Sequence, residues 1–287
     1  MRKIIPIFFT LCCLLSCVPQ HEEECPIVVE GWIENGRPPV IMLHQAIGTH
    51  EGWKSIEECM SQKLIVWGKV SLSSLDTTVV LTGQLDKNYL LNYRYSTPYM
   101  FGQSGREYDI EVEARGQKVY AHTSVPSVVP LDSVVVKVDQ EPYVNVTAYW
   151  TDLESDSDFY VLFYRFKGQI EYVVCNFGTV SDASAEQKVL SMPVYKYTSS
   201  LIDTKSEMIW FKRDDTVTLK IAHVDQAGYE FWQSFQNSVS SRLPVFNSTP
   251  QNSLKSNIIG GFGYWCGMGA SEHHLYLEKD TTLRFVK

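Results

Sequence analysis

Residues 108–124 read YDIEVEARGQKVYAHTS, and this stretch decides the fold class. Apolar and charged residues alternate over residues 108–114, so Tyr108, Ile110 and Val112 point to one face and the acids between them to the other. A period of two residues is typical of a half-buried antiparallel strand. Gly116-Gln117 then forms a two-residue turn with glycine first, which predicts a type II′ hairpin returning through residues 118–124.

The same alternation recurs along most of the chain. Pro126 and Pro130 interrupt it, because proline fixes φ and has no N–H to donate to a sheet. We therefore predict a mainly β protein with two β-sandwich-like domains, immunoglobulin-like or prealbumin-like, over residues 25–127 and 130–287. Residues 178–206 are weakly patterned and predict mostly loop. Strands are predicted at residues 28–33, 39–43, 63–72, 77–82, 89–95, 133–138, 143–150, 159–166, 170–177, 216–224, 274–277 and 281–286.

One amphipathic helix is predicted in the second domain, near residues 226–242. Asp225 is a suitable N-cap. Tyr229, Trp232, Phe235 and Val239 recur at spacings of three and four, which places them on one helical face. We interpret this aromatic stripe as core packing rather than as a cofactor site.

Length and composition exclude several classes of protein. The chain has 287 residues, of which 44% are hydrophobic and 20% charged, so it is neither disordered nor collagen-like nor a coiled coil. The formal net charge of −8 argues against a nucleic-acid-binding surface.

The N-terminal residues predict export and lipidation. Arg2 and Lys3 precede an apolar run over residues 4–15, which is too short to span a membrane but suits a signal peptide. Ser16-Cys17 follows and is similar to a bacterial lipobox, in which a small residue precedes the cysteine that is acylated. We predict a signal peptide over residues 1–16, with cleavage between Ser16 and Cys17. The alternative is an ordinary secretory signal that contains cysteine.

Residues 17–24 form the predicted tether between the lipid and the folded body. Glu22, Glu23 and Glu24 make it acidic, as in the surface-export signals of Bacteroidota lipoproteins, although a plain solvated tether has the same composition. Removal of residues 1–16 takes away Arg2 and Lys3 and no acid. The mature body is therefore too acidic to adsorb to anionic lipid, and the lipid itself carries the attachment.

Several segments together carry a resemblance to a known family. They are Cys17 with the 27–31 stretch IVVEG, the 105–126 stretch, the 214–232 stretch that opens DDTV and closes YEFW, and the 256–264 stretch SNIIGGFGY. In this order the segments resemble a lipoprotein family of the Bacteroidota catalogued as domain of unknown function 4249. Residues 48–62 look like an insertion relative to that family.

The resemblance implies an outer-membrane lipoprotein, often encoded beside a TonB-dependent receptor for nutrient uptake. It implies no catalytic residues and fixes no ligand. We therefore expect a non-enzymatic, lipid-anchored outer-membrane protein at the cell surface, an accessory to such a receptor, without cofactor or metal. Two alternatives remain: a surface hydrolase acting on glycan or peptide, and a structural or adhesive surface protein.

Three polar patterns in the sequence are candidate sites of chemistry. His273 and His274 are adjacent, so on a strand they point to opposite faces and do not form a metal site together. His223 lies on an apolar strand face, which favours a buried histidine with satisfied hydrogen bonds. Alternating acids over residues 152–158 resemble half of a calcium loop, but the glycine and the distal glutamate of an EF-hand are missing, so a solvated turn is favoured.

Two further patterns have structural interpretations. The glycines at 260, 261, 263, 267 and 269 precede no helix, so a turn or bulge where backbone approaches backbone is favoured over a phosphate site. Tyr93, Tyr95, Tyr99 and Phe101 are interpreted as core or interface packing rather than as a stacking platform for sugar or peptide.

The seven cysteines divide by position. Cys12 and Cys13 leave with the signal peptide, and Cys17 is the predicted lipid attachment site. Four others remain outside the reducing cytoplasm, and four cysteines allow three pairings. Cys25 with Cys59 is a candidate disulfide within the first domain, while Cys175 and Cys266 are equally well explained as buried free thiols.

Overall fold

A computed structural model of the protein describes residues 25–46, 61–89, 92–138, 140–152, 158–182, 188–197, 209–240, 254–278 and 281–285. The fold is mainly β, and the prediction of a sandwich-like architecture is confirmed. One large sheet forms the middle of the molecule, two smaller sheets cover one of its faces, and a helix lies on the other.

The large sheet has eight strands that come from both halves of the chain. In spatial order they are β12 (Val173–Ser181), β11 (Phe159–Phe166), β15 (Thr216–Val224), β16 (Phe262–Tyr276), β1 (Ile27–Glu34), β2 (Val40–Gln45), β6 (Tyr93–Ser96) and β5 (Thr82–Leu85). Neighbouring strands are antiparallel except β1 and β16, which are parallel. Since parallel neighbours need a long connection, residues far apart in sequence meet at this pair.

The first sandwich packs a four-stranded sheet against the β16, β1, β2 and β6 part of the large sheet. That smaller sheet has the order β4 (Thr77–Val80), β3 (Lys69–Ser74), β7 (Arg106–Ala114) and β8 (Gln117–Val125). Tyr108, Ile110 and Val112 are buried in its core, as their alternation predicts. Trp265 of β16 lies in the same core and donates its indole N–H to the Tyr108 carbonyl at 3.0 Å.

The second sandwich packs another sheet against the opposite part of the large sheet. Its strands are β13 (Val189–Val194), β10 (Tyr143–Thr151), β9 (Ser133–Val138) and β17 (Thr281–Arg284), with β14 (Phe211–Lys212) also paired to β10. Trp150 and Tyr160 are fully buried between the sheets and contact each other edge to face. The link between the sandwiches, residues 126–132, contains no strand.

The helix α1 (Gln226–Ser240) lies on the other face of the large sheet. The Asp225 carboxylate accepts a hydrogen bond from the Gly228 N–H at 2.8 Å, so the predicted N-cap is confirmed. Phe231 packs on Tyr264 of β16, and Trp232 packs on Phe163 of β11. The helical stripe is therefore core, as predicted; the Val239 side chain lies outside the described residues.

The central strand β16 belongs to both sandwiches, and its glycines make this geometry fit. A Cβ on Gly267 would collide with the Ser124 carbonyl oxygen, and one on Gly269 would collide with the Pro126 and Ser127 carbonyls. At these points the chain leaving β8 crosses over β16. The interpretation of the glycine run as a site of close backbone approach is confirmed.

Three details of the sequence prediction are corrected. The β7–β8 turn is formed by Arg115 and Gly116, both with positive φ, which is type I′ rather than type II′. The strand predicted over residues 63–72 begins only at Lys69. Residues 178–206 are not mostly loop in their described part, because β12 continues to Ser181 and β13 forms an edge strand that tolerates Pro193.

Candidate functional site

A groove lies on the helix side of the large sheet. Its floor includes alternate residues of β1, from Val28 through Glu30 and Trp32 to Glu34. The intervening Val29 and Ile33 are buried in the first core, because successive strand side chains point to opposite faces. The groove consists of two adjoining cavities that share Glu30, Tyr172, Trp232 and Tyr264.

We call the first cavity the polar half of the groove. It has a volume of about 420 Å³ and lies at the Glu34 end of β1. Charged side chains from four parts of the chain meet in it, and aromatic rings separate them. Its lining includes Trp32, Glu34, Arg37, Arg94, Arg165 and Lys220.

A buried ion pair forms the base of the polar half. Lys220 Nζ of β15 donates to Glu34 Oε1 of β1 at 2.5 Å, and each side chain is at most 7% exposed. Burial by itself would raise the pKa of the Glu34 carboxyl. The Lys220 ammonium and its hydrogen bond, with smaller effects of Arg37 and Arg165, instead hold that pKa below its ordinary value. Glu34 is therefore a carboxylate at neutral pH.

A second carboxylate, Glu272 of β16, joins two arginines above this pair. Arg37 Nη2 lies 2.6 Å from Glu272 Oε1, and Arg165 Nη2 lies 3.2 Å from Oε2. Arg165 and Lys220 also lie over the Tyr172 ring, at 4.5 and 4.2 Å from its centroid. Burial, with the neighbouring Glu272 carboxylate, raises the pKa of the Tyr172 hydroxyl. The charges of the polar half are thus held by each other and by aromatic faces.

We call the second cavity the apolar half of the groove. It has a volume of about 760 Å³ and lies at the Val28 end of β1. Its surface is mostly carbon, contributed by Val28, Phe231, Phe235, Leu254 and Phe262. Phe262 is 55% exposed although it belongs to a central strand of the sheet. A cavity lined in this way is suited to an apolar ligand group.

The junction of the two halves mixes both kinds of chemistry. His44 Nε2 lies 3.3 Å from Glu30 Oε1, on neighbouring strands. The Trp232 Nε1 is buried and has no hydrogen-bond acceptor among the described residues.

A group of three carboxylates lies apart from the groove. Oxygens of Asp152, Asp158 and Asp182 lie within 4.8 Å of one another. Each has a partner in the protein: Asp152 accepts from Tyr160 Oη at 2.7 Å, Asp158 lies 3.2 Å from His223, and Asp182 accepts from the Asp158 N–H at 2.7 Å. Burial, with the two neighbouring acids, raises the pKa of Asp182. Asp158 is buried, so the expectation of a fully solvated turn is wrong there; residues 153–157 lie outside the described residues.

Comparison with known proteins places the chain in a family. A family model described as "Domain of unknown function (DUF4249)" matches residues 18–273. The chain belongs to the DUF4249 family. This confirms the family that the sequence segments resemble. No curated protein matches the chain significantly.

The histidines of this DUF4249 protein lie where the strand pattern places them. His273 and His274 point to opposite faces: His273 Nε2 accepts from the Leu131 N–H at 3.1 Å, whereas His274 contacts Thr218 Oγ1 at 2.8 Å. Burial, with His274, lowers the pKa of His273. His223 is buried and contacts the Ser127 carbonyl, so its interpretation as a satisfied histidine is confirmed.

The predicted aromatic group is divided by the fold. Tyr95 is buried in the first core, and Tyr93 packs against that core. Tyr99 and Phe101 are exposed. These side chains form no common platform with the groove, because neither half of the groove includes them.

Several N-terminal predictions of the DUF4249 chain lie outside the described residues. They concern the signal peptide, Ser16, Cys17 and the tether, as well as Cys59. Cys25 is partly buried and is free among the described residues. Because Cys59 lies outside those residues, the pairing of Cys25 with Cys59 stays a prediction. Cys175 and Cys266 are free and buried, and burial raises the pKa of both thiols. Within the described ranges, every helix is too short or too polar to cross a bilayer.

Sequence reasoning missed the charged residues of the groove. One signal was present: Lys220 stands between Leu219 and Ile221 as the only Asp, Glu, Lys or Arg residue of the strand sequence TVTLKIAHV. A cation in such a strand requires a buried partner, which predicts an acid elsewhere. That the partner is Glu34 depends on the β15–β16–β1 order of the sheet, which the sequence alone does not provide.

Proposed function

We propose that this DUF4249 protein is a non-enzymatic outer-membrane lipoprotein of the cell surface that serves as an accessory to a TonB-dependent nutrient-uptake receptor. In this proposal the lipid is attached to Cys17, and the groove holds a ligand for the receptor. The observation that carries the ligand-holding role is the groove itself, an open cleft built on a rigid eight-stranded sheet. Binding sites held on rigid elements keep their geometry without ligand.

The proposed anchor is supported by the sequence around Cys17. The lipobox-like Leu14-Leu15-Ser16-Cys17 is followed by the acidic residues Glu22, Glu23 and Glu24, just before Cys25, the first described residue. Each buried methylene of an acyl chain contributes about 0.8 kcal/mol, so two or more chains give stable attachment. Anionic lipid headgroups do not attract an acidic protein body, so in this proposal the acyl chains alone hold the protein on the membrane.

The electrostatics of the groove favour binding over hydrolysis. A carboxyl that serves as a general acid needs a pKa raised toward neutral pH. In the groove the Glu34 pKa is lowered, and Glu272 is held by two arginines. The raised pKa belongs to Asp182, which lines neither half of the groove and already accepts a backbone hydrogen bond. The hydrolase alternative would have to use a pair such as His44 and Glu30, 3.3 Å apart at the junction of the two halves, because Glu34 is engaged by Lys220.

Metabolic labelling with palmitate tests the anchor. We expect the wild-type chain to incorporate label and to fractionate with the outer membrane, and Cys17→Ala to lose both. Cys25→Ala is the matched control, since it removes a cysteine eight residues later. Unchanged labelling of Cys17→Ala, or a wild-type chain found in the soluble periplasm, would contradict the proposal. Digestion of intact cells by an added protease then distinguishes a surface location from a periplasmic one.

A further inference from the structure

The two halves of the groove follow one another along a single strand. Val28 lines the apolar half, Glu30 lines both, and Trp32 and Glu34 line the polar half. From Val28 to Glu34 the strand covers roughly 20 Å at about 3.3 Å per residue. A ligand that fills the groove is therefore elongated, with an apolar part at one end and a polar part at the other.

The apolar half discriminates between kinds of chain. A peptide would bring backbone N–H and C=O groups, and each buried group needs a hydrogen-bond partner. The apolar half offers few partners, because its surface is mostly carbon from side chains such as Phe231, Phe235 and Phe262, although Glu30, His44 and Ser256 also line it. An alkyl chain has no polar groups to satisfy, so it fits this half where a peptide does not.

The polar half discriminates between head groups by charge. Its lining has four cationic side chains and three carboxylates: Arg37, Arg94, Arg165 and Lys220, and Glu30, Glu34 and Glu171. Two carboxylates beside the lining bind three of these cations. Glu272 is paired with Arg37 and Arg165, and Asp86 is paired with Arg94. Lys220 is paired with Glu34 as well, and Glu30 contacts His44, so a head with a net charge would have to displace an existing pair in this partly buried site. Hydroxyl groups, or the separated charges of a zwitterion, can be bonded by guanidinium and carboxylate groups together.

We infer that the groove binds an amphiphile with an alkyl chain in the apolar half and a polar head of no net charge in the polar half. The inference rests on the proposed function only in taking the groove as the ligand site. It does not depend on the Cys17 anchor or on a receptor. Phe262 is central to it, since this exposed ring lies on the wall of the apolar half.

Photo-crosslinking of the full chain in its own membrane tests the inference. The probes share one alkyl chain with a terminal diazirine and differ in the head: glucoside, phosphocholine, carboxylate or trimethylammonium. We expect crosslinks in peptides from residues 226–240 and 254–264, competed by unlabelled alkyl glucoside but not by glucose. The glucoside and phosphocholine probes should label about tenfold more than the charged probes, a difference of roughly 1.4 kcal/mol. Labelling spread over the surface, or independent of the head, would overturn the inference.

Two variants with controls locate the two ends of the ligand. Phe262→Glu should abolish labelling, whereas Ile259→Glu should not, because Ile259 is 71% exposed and lines neither half. Arg37→Gln should shift the preference toward the trimethylammonium probe, because it leaves the Glu272 carboxylate with one arginine fewer. Arg213→Gln should cause no such shift, because Arg213 is paired with Glu141 and lines neither half. Equal effects of variant and control would overturn the inference.

The result is separable from that of the proposed function. Groove labelling without recovery of a receptor would overturn the accessory role and support the amphiphile site. Recovery of a receptor without groove labelling would overturn the amphiphile site and support the accessory role.

Discussion

Lys220 Nζ and Glu34 Oε1 lie 2.5 Å apart in the body of the protein, joined across 186 residues of sequence. The pair connects β15 of the second sandwich with β1 of the first, across the shared strand β16. Neither side chain is more than 7% exposed. This contact fixes the base of the groove and ties the two halves of the chain together.

Loss of one partner of this pair should be strongly destabilising. Glu34→Gln leaves the Lys220 ammonium buried without a carboxylate, which typically costs about 3–5 kcal/mol of unfolding free energy. Urea denaturation measures the change. Glu111→Gln is the control, since it breaks the exposed Lys118–Glu111 pair and should not shift the urea midpoint measurably. Equal shifts for the two variants would show that the buried pair has no special role.

The stability of the protein should depend on pH through Glu34. The folded-state pKa of Glu34 lies below its ordinary value of 4.5, so its contribution is complete above pH 4.5 and is lost as the pH falls through the lowered value. The difference in unfolding free energy between wild type and Glu34→Gln should therefore be constant near neutral pH and shrink as the pH falls through the lowered pKa of Glu34. A difference that grows on acidification would contradict this assignment.

The crossing of β8 over β16 should not tolerate a side chain at Gly267. A Cβ there collides with the Ser124 carbonyl, so Gly267→Ala should cost about 3 kcal/mol or prevent folding. Gly168→Ala is the control. Gly168 has a φ of +89°, which disfavours a side chain, but a Cβ added there would have nothing within 4 Å. Its substitution should therefore lower the unfolding free energy by only about 1 kcal/mol. Denaturation of the two variants compares them directly, and a smaller effect at Gly267 would refute the crossing.

Asp225 should stabilise the helix and its attachment to the first sandwich together. Its Oδ1 caps the helix through Gly228, and its Oδ2 accepts from Thr123 Oγ1 at 2.6 Å. Asp225→Ala removes both bonds and should cost about 2 kcal/mol, whereas Asp225→Asn keeps a capping oxygen and should cost less. Helix-specific hydrogen exchange over residues 226–240 reports the loss. If Ala and Asn variants exchange alike, the cap does not act as described.

The cysteines should separate into two classes under native alkylation. Cys175 and Cys266 are buried with raised thiol pKa values, so they should stay unlabelled until the protein unfolds. If Cys25 and Cys59 form the predicted disulfide, neither should react before reduction, and both should react after it. Mass spectrometry of labelled peptides reads this out. A reactive Cys25 without reductant would rule out the pairing.

Strand content was predictable, but the joining of the sandwiches was not. The alternation at Tyr108, Ile110 and Val112 is a local signal, and the structure follows it. β16 gave almost no such signal, because glycines replace half of the side chains that would have alternated over residues 260–269. Those glycines are needed for contacts with Val29 and Ser124, more than 130 residues away, and no local pattern identifies such partners.

The groove could not be predicted from the sequence for the same reason. Glu30 and Glu34 stand at alternate positions in the sequence, which by itself predicts no more than a polar face of a strand, whereas β1 lies in the interior of the sheet. Only the parallel pairing of β1 with β16 brings Lys220 and Glu272 next to them. The sequence did predict correctly that the aromatic stripe of the helix is core, because periodicity on one helix is local information.

Detergent extraction of the tagged full chain from its native outer membrane, with identification of co-purifying proteins, tests the proposed function most directly. The proposal predicts a TonB-dependent receptor in stable amount with the wild-type chain, and its loss when Cys17→Ala releases the chain from the membrane. Wild-type protein that is extracted intact from the outer membrane without any such receptor would contradict the account.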